Sequence, residues 1–472
     1  MSKNQLSFSE NAINYSWQQL ALRAGANFSI HNQQAYVNDI PLFYGYSKAK
    51  SYIGKKIIVI PCKDEDWHNL IQKDNHTIDW ALPSQIFPVK DIKYSNTIPI
   101  IFYGNDNKTD TLVEYRDDAL IFYVDIVATV FFMLSRWEET LSSIKEDIHG
   151  RFPASASVAY KQGFLNIPIV DLYGLIFKEW LSMITHRQVS SSSEFTINLT
   201  HDIDWISRFA SLSHFLRVTI SEFIKKKSIL GILKQIRYLY IQTIQPTDDD
   251  FFRSINNLAE LSEAQGIKSK FYFMAVERNQ FQQGYNPASV LLKNGMNNLQ
   301  DRGHEIGIHP GYTSFKNVEK LISEKETMEQ VINKNILGGR QHFLRFQVPH
   351  TWRHWEQAGL MYDSTMGYAD HEGFRCGTSY PYHPFDIDKD ETMRILEIPL
   401  IVMDTTLRIY RKLSPEQAKV KILELANICR NFGGHFTLLW HNTSLVDEWA
   451  EWGQMYQEVL VELSRMKKVN RQ

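Results

Sequence analysis

At 472 residues the chain is long enough to build two or three cores, so burial limits nothing. With 43% apolar, 22% charged and 13% aromatic residues it has the make-up of an ordinary globular protein, and a net charge of -2 removes any global electrostatic case for nucleic acid or for an acidic polymer as partner. Recognition has to come from a local site. Cys62, Cys376 and Cys429 are too few and too scattered for a disulfide framework, which suits a reducing compartment, and there is no C-x-x-C zinc knuckle. The opening MSKNQLSFSENAINYSW lacks the apolar core and cleavage site of a secretory signal, so the expected location is cytoplasmic.

In chain order, IIVIPC (57 to 62) and IPIIFYG (98 to 104) read as buried strands, and 121 to 142 and 168 to 185 as helices. The apolar run from Ile121 to Leu134 is broken by Asp125 and falls short of the roughly 20 residues that cross a bilayer, so it reads as a buried helix. DIPLFYG (39 to 45) echoes TIPIIFYG (97 to 104), a hint of a duplicated strand and turn. The polar, serine-rich RQVSSSSEF (187 to 195) reads as a linker, dividing a smaller α+β domain at 1 to 187 from a second domain at 194 to 472.

Beyond the linker, strand candidates alternate with helical or irregular stretches: TINLT (196 to 200), KFYFMAV (270 to 276), EIGIH (305 to 309), HFLRFQV (342 to 348), ILEIPLIVM (395 to 403) and HFTLLWH (435 to 441). Such alternation implies a mostly parallel α/β sheet, open or closed into a barrel. In barrels chemistry collects at the C-terminal strand ends, where Asp202, Asp204, His309, Arg345, Asp404 and His441 fall. The stretch 206 to 245 carries Arg208, Arg217, Lys225, Lys226, Lys227, Lys234 and Arg237 against the single acid Glu222, with Phe, Leu and Ile between them. It reads as an inserted helical pair with a solvated face, or as a basic amphipathic surface for anionic lipid or a lipid-diphosphate carrier at the inner face of the membrane.

The acids of THDID (200 to 204) raise the chemical question. If Asp204 holds a divalent metal, Asp202 stays free to take a proton from the water that attacks. His309 in GHEIGIHPGY, His342 in RQHFLRFQVP and His441 in LLWHN end or flank later strands, and a catalytic zinc site takes about three His, Asp or Glu ligands while leaving a position for water.

The order and spacing of THDID, GHEIGIHPGY, LRFQVP, YDSTMGY (362 to 368) and LLWHN resemble the polysaccharide deacetylases of carbohydrate esterase family four, over roughly 195 to 450. FFMLSRWEE (131 to 139), DIHGRFPASAS (147 to 157) and GFRCGTSYPYHPFD (373 to 386) resemble a bacterial branch of these enzymes that carries an uncharacterised N-terminal domain. The resemblance implies a distorted parallel (β/α) barrel, a divalent metal, zinc foremost, and an acetylated sugar or polysaccharide precursor as substrate. It makes Asp202 the catalytic base, Asp204 and His309 metal ligands, His304 a structural residue, Arg345 the partner of the base, and His441 the general acid, with Asp363 or Asp404 orienting it.

Two departures stand out. Ile203 separates two acids that are adjacent in the family, and Thr313 stands where a further metal-binding His is expected. The third ligand then comes from His342, His350 or His371, with His342 and His371 preferred. Trp440, Trp352 and Tyr312 are candidate walls for a sugar subsite. The expected activity is hydrolysis of an N-acetyl group from a sugar during surface polysaccharide or glycoconjugate assembly. The alternatives are de-O-acetylation, a barrel that has lost its metal and binds glycan or a partner, and hydrolysis of a small amide such as a cyclic ureide.

Overall fold

β-Branched and aromatic runs build two large sheets in the computed structural model, which describes residues 8–72, 77–86, 97–104, 112–141, 145–187, 194–276 and 278–469. The N-terminal sheet has six strands, in the spatial order 28–31, 34–37, 40–44, 56–59, 119–122 and 113–116. Its alternating residues Leu42, Ile57, Val59, Leu120 and Phe122 join the main core with the helices Glu10–Ala24, Ile126–Leu134 and Ile169–Thr185.

The expected helix at 121 to 142 proves to be a strand and a helix in succession. Asp125, fully buried, stops the strand Ala119–Phe122 and caps the helix Ile126–Leu134, its carboxylate accepting from the Ala128 amide at 2.8 Å. The two echoing segments are strands of different sheets: 40–44 lies in the six-stranded sheet, and Ile98–Ile100 pairs with Asp79–Ala81. They are not a structural repeat. The serine-rich linker lies largely at 188–193, outside the described residues.

The second sheet is a distorted parallel (β/α) barrel. Its strands are Thr196–Ile203, Lys270–Phe273, Glu305–Ile308, Gly338–Gly339, Tyr362–Asp363, Leu396–Glu397, Val402–Met403 and His435–Leu439, first to eighth, and each neighbouring pair that bonds is parallel. Round the ring they follow chain order, with one unbonded seam between the sixth and seventh. Only Ile398 to Ile401, with Pro399 among them, connects that pair, too short for a crossover helix. The expected single strand 395 to 403 is therefore two.

The expected strand at 342 to 348 lies instead at Gly338–Gly339. A Cβ on Gly339 would meet the Ile308 carbonyl oxygen at 1.8 Å, and one on Gly338 would meet that of Tyr362 at 2.4 Å, so neighbouring backbones close on a position that only glycine fills. After the first strand the chain rises into two helices, Leu212–Lys226 and Ile229–Ile244, the expected inserted pair.

The core runs unbroken from the N-terminal helices into the barrel. Arg23 meets Asp171 at 2.9 Å, both buried, and Asp171 also accepts from the amide of Ser379 at 2.7 Å and its hydroxyl at 2.8 Å. Arg375 donates to both Glu139 oxygens, at 2.9 and 2.5 Å, and Glu139 binds Arg136 as well. The segment 373 to 386 is thus bolted to the N-terminal region by the buried Arg375–Glu139 ion pair and by the bonds of the Arg23–Asp171 pair to Thr378 and Ser379, and removing one partner of either pair leaves a lone buried charge. Cys62, Cys376 and Cys429 are free thiols.

Gly339→Ala tests the barrel's tightest contact. The clash with the Ile308 backbone is expected to leave the protein insoluble or destabilised by more than about 3 kcal/mol. Gly163→Ala, with nothing within 4 Å of the new Cβ, should cost only about 1 kcal/mol for its positive φ. Thermal unfolding of both measures this, and a Gly339→Ala protein that melts like the parent contradicts the fold.

Candidate active site and metal centre

Successive side chains of a strand alternate between faces, so Thr200 and Asp202 point one way and His201 and Ile203 the other. His201 and Ile203 are fully buried, His201 against the Phe271 ring with its Nδ1 on the Trp440 carbonyl at 2.8 Å. Asp202 faces the barrel interior, and Asp204, two residues on, reaches the same cavity from the strand end. The inserted Ile203 is what brings both carboxylates to one side.

Asp202 is held by Arg340, which has no solvent exposure. One guanidinium nitrogen of Arg340 donates to Asp202 at 3.0 Å and to the Thr200 hydroxyl at 2.9 Å, while Nε donates to the Ser364 carbonyl at 2.7 Å. Arg345, expected in this place, is elsewhere: it donates to the His149 and Tyr312 carbonyls at 2.7 and 2.6 Å and lies over the Tyr312 ring at 3.9 Å. Arg340 follows the glycine strand directly, whereas the backbone turns away before Arg345. Its position at a strand's C-terminal end was the sequence signal that could have found it.

His309 follows the third strand, and its Nδ1–H donates to the Arg340 carbonyl at 2.7 Å, leaving Nε2 aimed at Asp204, 3.2 Å away. His342 brings Nε2 within 3.6 Å of the same carboxylate oxygen. Asp204, His309 and His342 offer ligand atoms within 4.8 Å of one another. Asp204 Oδ1 and His309 Nε2 are buried without a satisfied hydrogen bond, as expected of atoms that serve a cation. The donor set, one carboxylate and two imidazoles with room for a fourth position, fits a divalent metal of the zinc type.

Burial alone would raise the Asp204 carboxyl; His309, then His342 and His441, outweigh it and hold it below the usual carboxylate range. Burial pulls the His342 ring down to about 3, so it is neutral and can donate its lone pair. Of the other ligand candidates, His371 bonds the Glu372 carbonyl at 2.7 Å beside Tyr160, and His350 is exposed at the start of the helix His350–Gln357. Thr313 is exposed and accepts from Lys320 at 2.8 Å. His304 ties the Ser269 amide to Glu263, a structural role.

Across the cavity His441 takes its orientation from Asp404, fully buried at the end of the seventh strand. Asp404 bonds the His441 Nδ1 at 2.7 Å and its amide at 2.7 Å, and His441 Nε2 lies 3.7 Å from Asp204. Burial opposes charge on this ring, but Asp404 first, then Asp204 and Asp202, push it up to about 10. Asp363, the other candidate orienter, bonds Thr365 instead.

The cavity holds about 280 Å³ and is walled by Arg151, Phe343, Leu344, Met403, Ile409 and Tyr410. Arg151 comes from the N-terminal sequence DIHGRF: Asp147 fixes its Nε at 2.7 Å, and it donates to the Phe343 carbonyl and the Tyr410 hydroxyl, each at 3.1 Å. The expected aromatic walls lie elsewhere. Trp440 is fully buried on the Tyr456 ring, 4.5 Å between centroids, Trp352 is buried with its Nε1 on Glu397 at 2.9 Å, and Tyr312 stacks on Phe281 at 3.9 Å outside the cavity lining. Large rings fill the densest packing first, so each went to the core or the rim.

A family described as of unknown function, DUF7033, matches residues 9–186, the N-terminal sheet and its helices. Among curated proteins none matches the chain. Several solved structures resemble it, among them the following three. One, assigned as a polysaccharide deacetylase from Mycobacterium smegmatis, is 15% identical, covers 58% of this chain and 85% of its own, and has a TM-score of 0.37. Another, the Puue allantoinase, is 14% identical with 58% and 90% covered and a TM-score of 0.35. A third, likewise assigned as a polysaccharide deacetylase, from Pseudomonas aeruginosa PAO1, is 13% identical with 58% and 91% covered and a TM-score of 0.36. At these scores the likeness carries no weight, and the chemistry of the site rests on this chain's own side chains.

Zinc titration of the purified protein tests the donor set. His309→Ala and His342→Ala should each weaken zinc binding by about a hundredfold or more, and His371→Ala should leave it unchanged. Undiminished affinity in His342→Ala rules that ring out as a ligand.

Proposed function

We propose that the chain is a metal-dependent hydrolase that removes an acetyl group from an N-acetylated sugar, acting on a polysaccharide or glycoconjugate precursor. The observation that carries this reading is the placement of two anchored acid–base groups about one donor set: Asp202 held by Arg340, and His441 held by Asp404, both lining the cavity where Asp204, His309 and His342 converge. A module that only bound glycan would have no use for that pair. The binding-only alternative drew its strength from Thr313, and His342 supplies the donor that Thr313 lacks.

A zinc-type ion on Asp204, His309 and His342 would polarise the acyl carbonyl and make the attacking water more acidic. Asp202 takes the proton of that water, and the Arg340 guanidinium, bonded to it at 3.0 Å, keeps the carboxylate aimed. Asp404 occupies Nδ1 of His441, so the proton that ring can release sits on Nε2, facing the cavity. That proton goes to the departing nitrogen as the C–N bond breaks, giving acetate and a free amino sugar. Arg151 and Tyr410 line the cavity, and about 280 Å³ lies at the small end for ligand pockets, suiting a single acetylated unit.

Acetate release from N-acetylated sugar donors, with and without zinc, tests the reading. Asp202→Asn should lower turnover by about 10²–10⁴ while zinc affinity stays near the parent's, because the residue moves a proton and holds no metal. Full activity in Asp202→Asn contradicts the assignment of the base.

A further inference from the structure

We infer that the helical pair Leu212–Lys226 and Ile229–Ile244 is an interfacial element that rests on an anionic lipid bilayer and holds the barrel mouth against it. Of the 27 large apolar side chains exposed among the described residues, 11 lie on these two helices. Leu212, Leu216, Ile220 and Ile224 recur every four residues on the first, and Ile229, Leu233, Ile236 and Tyr240 at three- and four-residue steps on the second, so each helix turns a continuous apolar stripe to solvent. Leu230 is 77% exposed and Ile229 72%.

The polarity of the pair is in large part inverted. Where a water-facing helical hairpin buries leucine and isoleucine at its seam, this one buries Phe215 and Gln235, the latter bonded to Glu222, half-buries Val218, Ile232, Leu239 and Ile241, and leaves most of its large aliphatic residues outside. An apolar surface of this extent is retained where something covers it.

Charge identifies the cover. Arg217, Lys227, Lys234 and Arg237 are exposed on the pair, and Glu222, the only acid from 212 to 244, is engaged by Gln235. Aliphatic stripes between cations match the acyl boundary and headgroups of an anionic leaflet. A second copy of the chain would oppose like charges with only Glu222, already engaged by Gln235, on the pair to meet them. Among the described residues no helix is long and apolar enough to cross a membrane, so the pair lies in the interface plane. It leaves the barrel after Ile203, at the strand end that carries Asp202 and Asp204, so docking brings the mouth to the bilayer. Joined to the proposed reaction, this favours a saccharide precursor presented on a lipid anchor; the docking itself does not depend on that reaction.

Flotation of the full-length protein with vesicles tests it. Vesicles of equal parts phosphatidylcholine and phosphatidylglycerol should carry the protein, and phosphatidylcholine alone at least about tenfold less. Changing Ile220, Ile224, Leu230 and Ile236 together to Gln should cut flotation by more than about tenfold, and Arg217→Gln and Arg237→Gln by about fivefold each, with the melting temperature and zinc binding unchanged. Absence of flotation, equal flotation of the fourfold variant, or a dimer that the fourfold variant abolishes without any flotation overturns the inference. Flotation without acetate release from any donor leaves the docking standing and removes the proposed reaction.

Discussion

Arg340 is a cation without water, and the site is arranged round the need to satisfy it. A guanidinium sealed in a barrel costs several kcal/mol to desolvate unless each donor finds a partner. Thr200, Asp202 and Ser364 supply the partners, and so Asp202, the proposed base, is fixed in place by the same contacts that make the burial tolerable. The backbone of the same residue does as much. Its amide donates to Ile308, its carbonyl receives the His309 ring, and the turn after it delivers His342. Asp202, His309, His342 and the fourth strand are therefore one mechanical unit.

That unit is supported from outside the barrel. The buried Arg23–Asp171 pair and the Arg136, Glu139 and Arg375 cluster hold the N-terminal helices against the segment that leads into the seam between the sixth and seventh strands. From the same side Arg151 reaches the cavity wall, and Arg345 grips the His149 carbonyl. The N-terminal region is part of the site's walls. In the strand order the seam falls just before Asp404, whose carboxylate is fixed to the eighth strand's end by the His441 amide and ring.

How much of this the sequence discloses depends on whether local pattern or tertiary contact decides a residue's place. Period-two alternation marks Thr196–Ile203 and His435–Leu439, and the serine caps and apolar steps of the helical pair are equally local. Gly338–Gly339 is a strand only because Ile308 and Tyr362 press on it, which no propensity records, and the alternation of HFLRFQV misleads because Leu344, Phe346 and Val348 sink into the core from an irregular segment. With the strand misplaced, Arg345 looks like the partner of the base, and His342 cannot be told from His371 by spacing. Trp440 and Trp352 look like ligand walls for a similar reason: the residue type fits both fates, and packing density decides.

The central claim is that Asp204, His309 and His342 bind the metal on which hydrolysis depends. Acetate release from an N-acetylated sugar donor, measured through chelation and then stepwise return of zinc, tests it directly. Turnover should be lost on chelation and recover fully at one equivalent of zinc per chain, with no recovery in His342→Ala at that level. Turnover that survives complete removal of metal would contradict it.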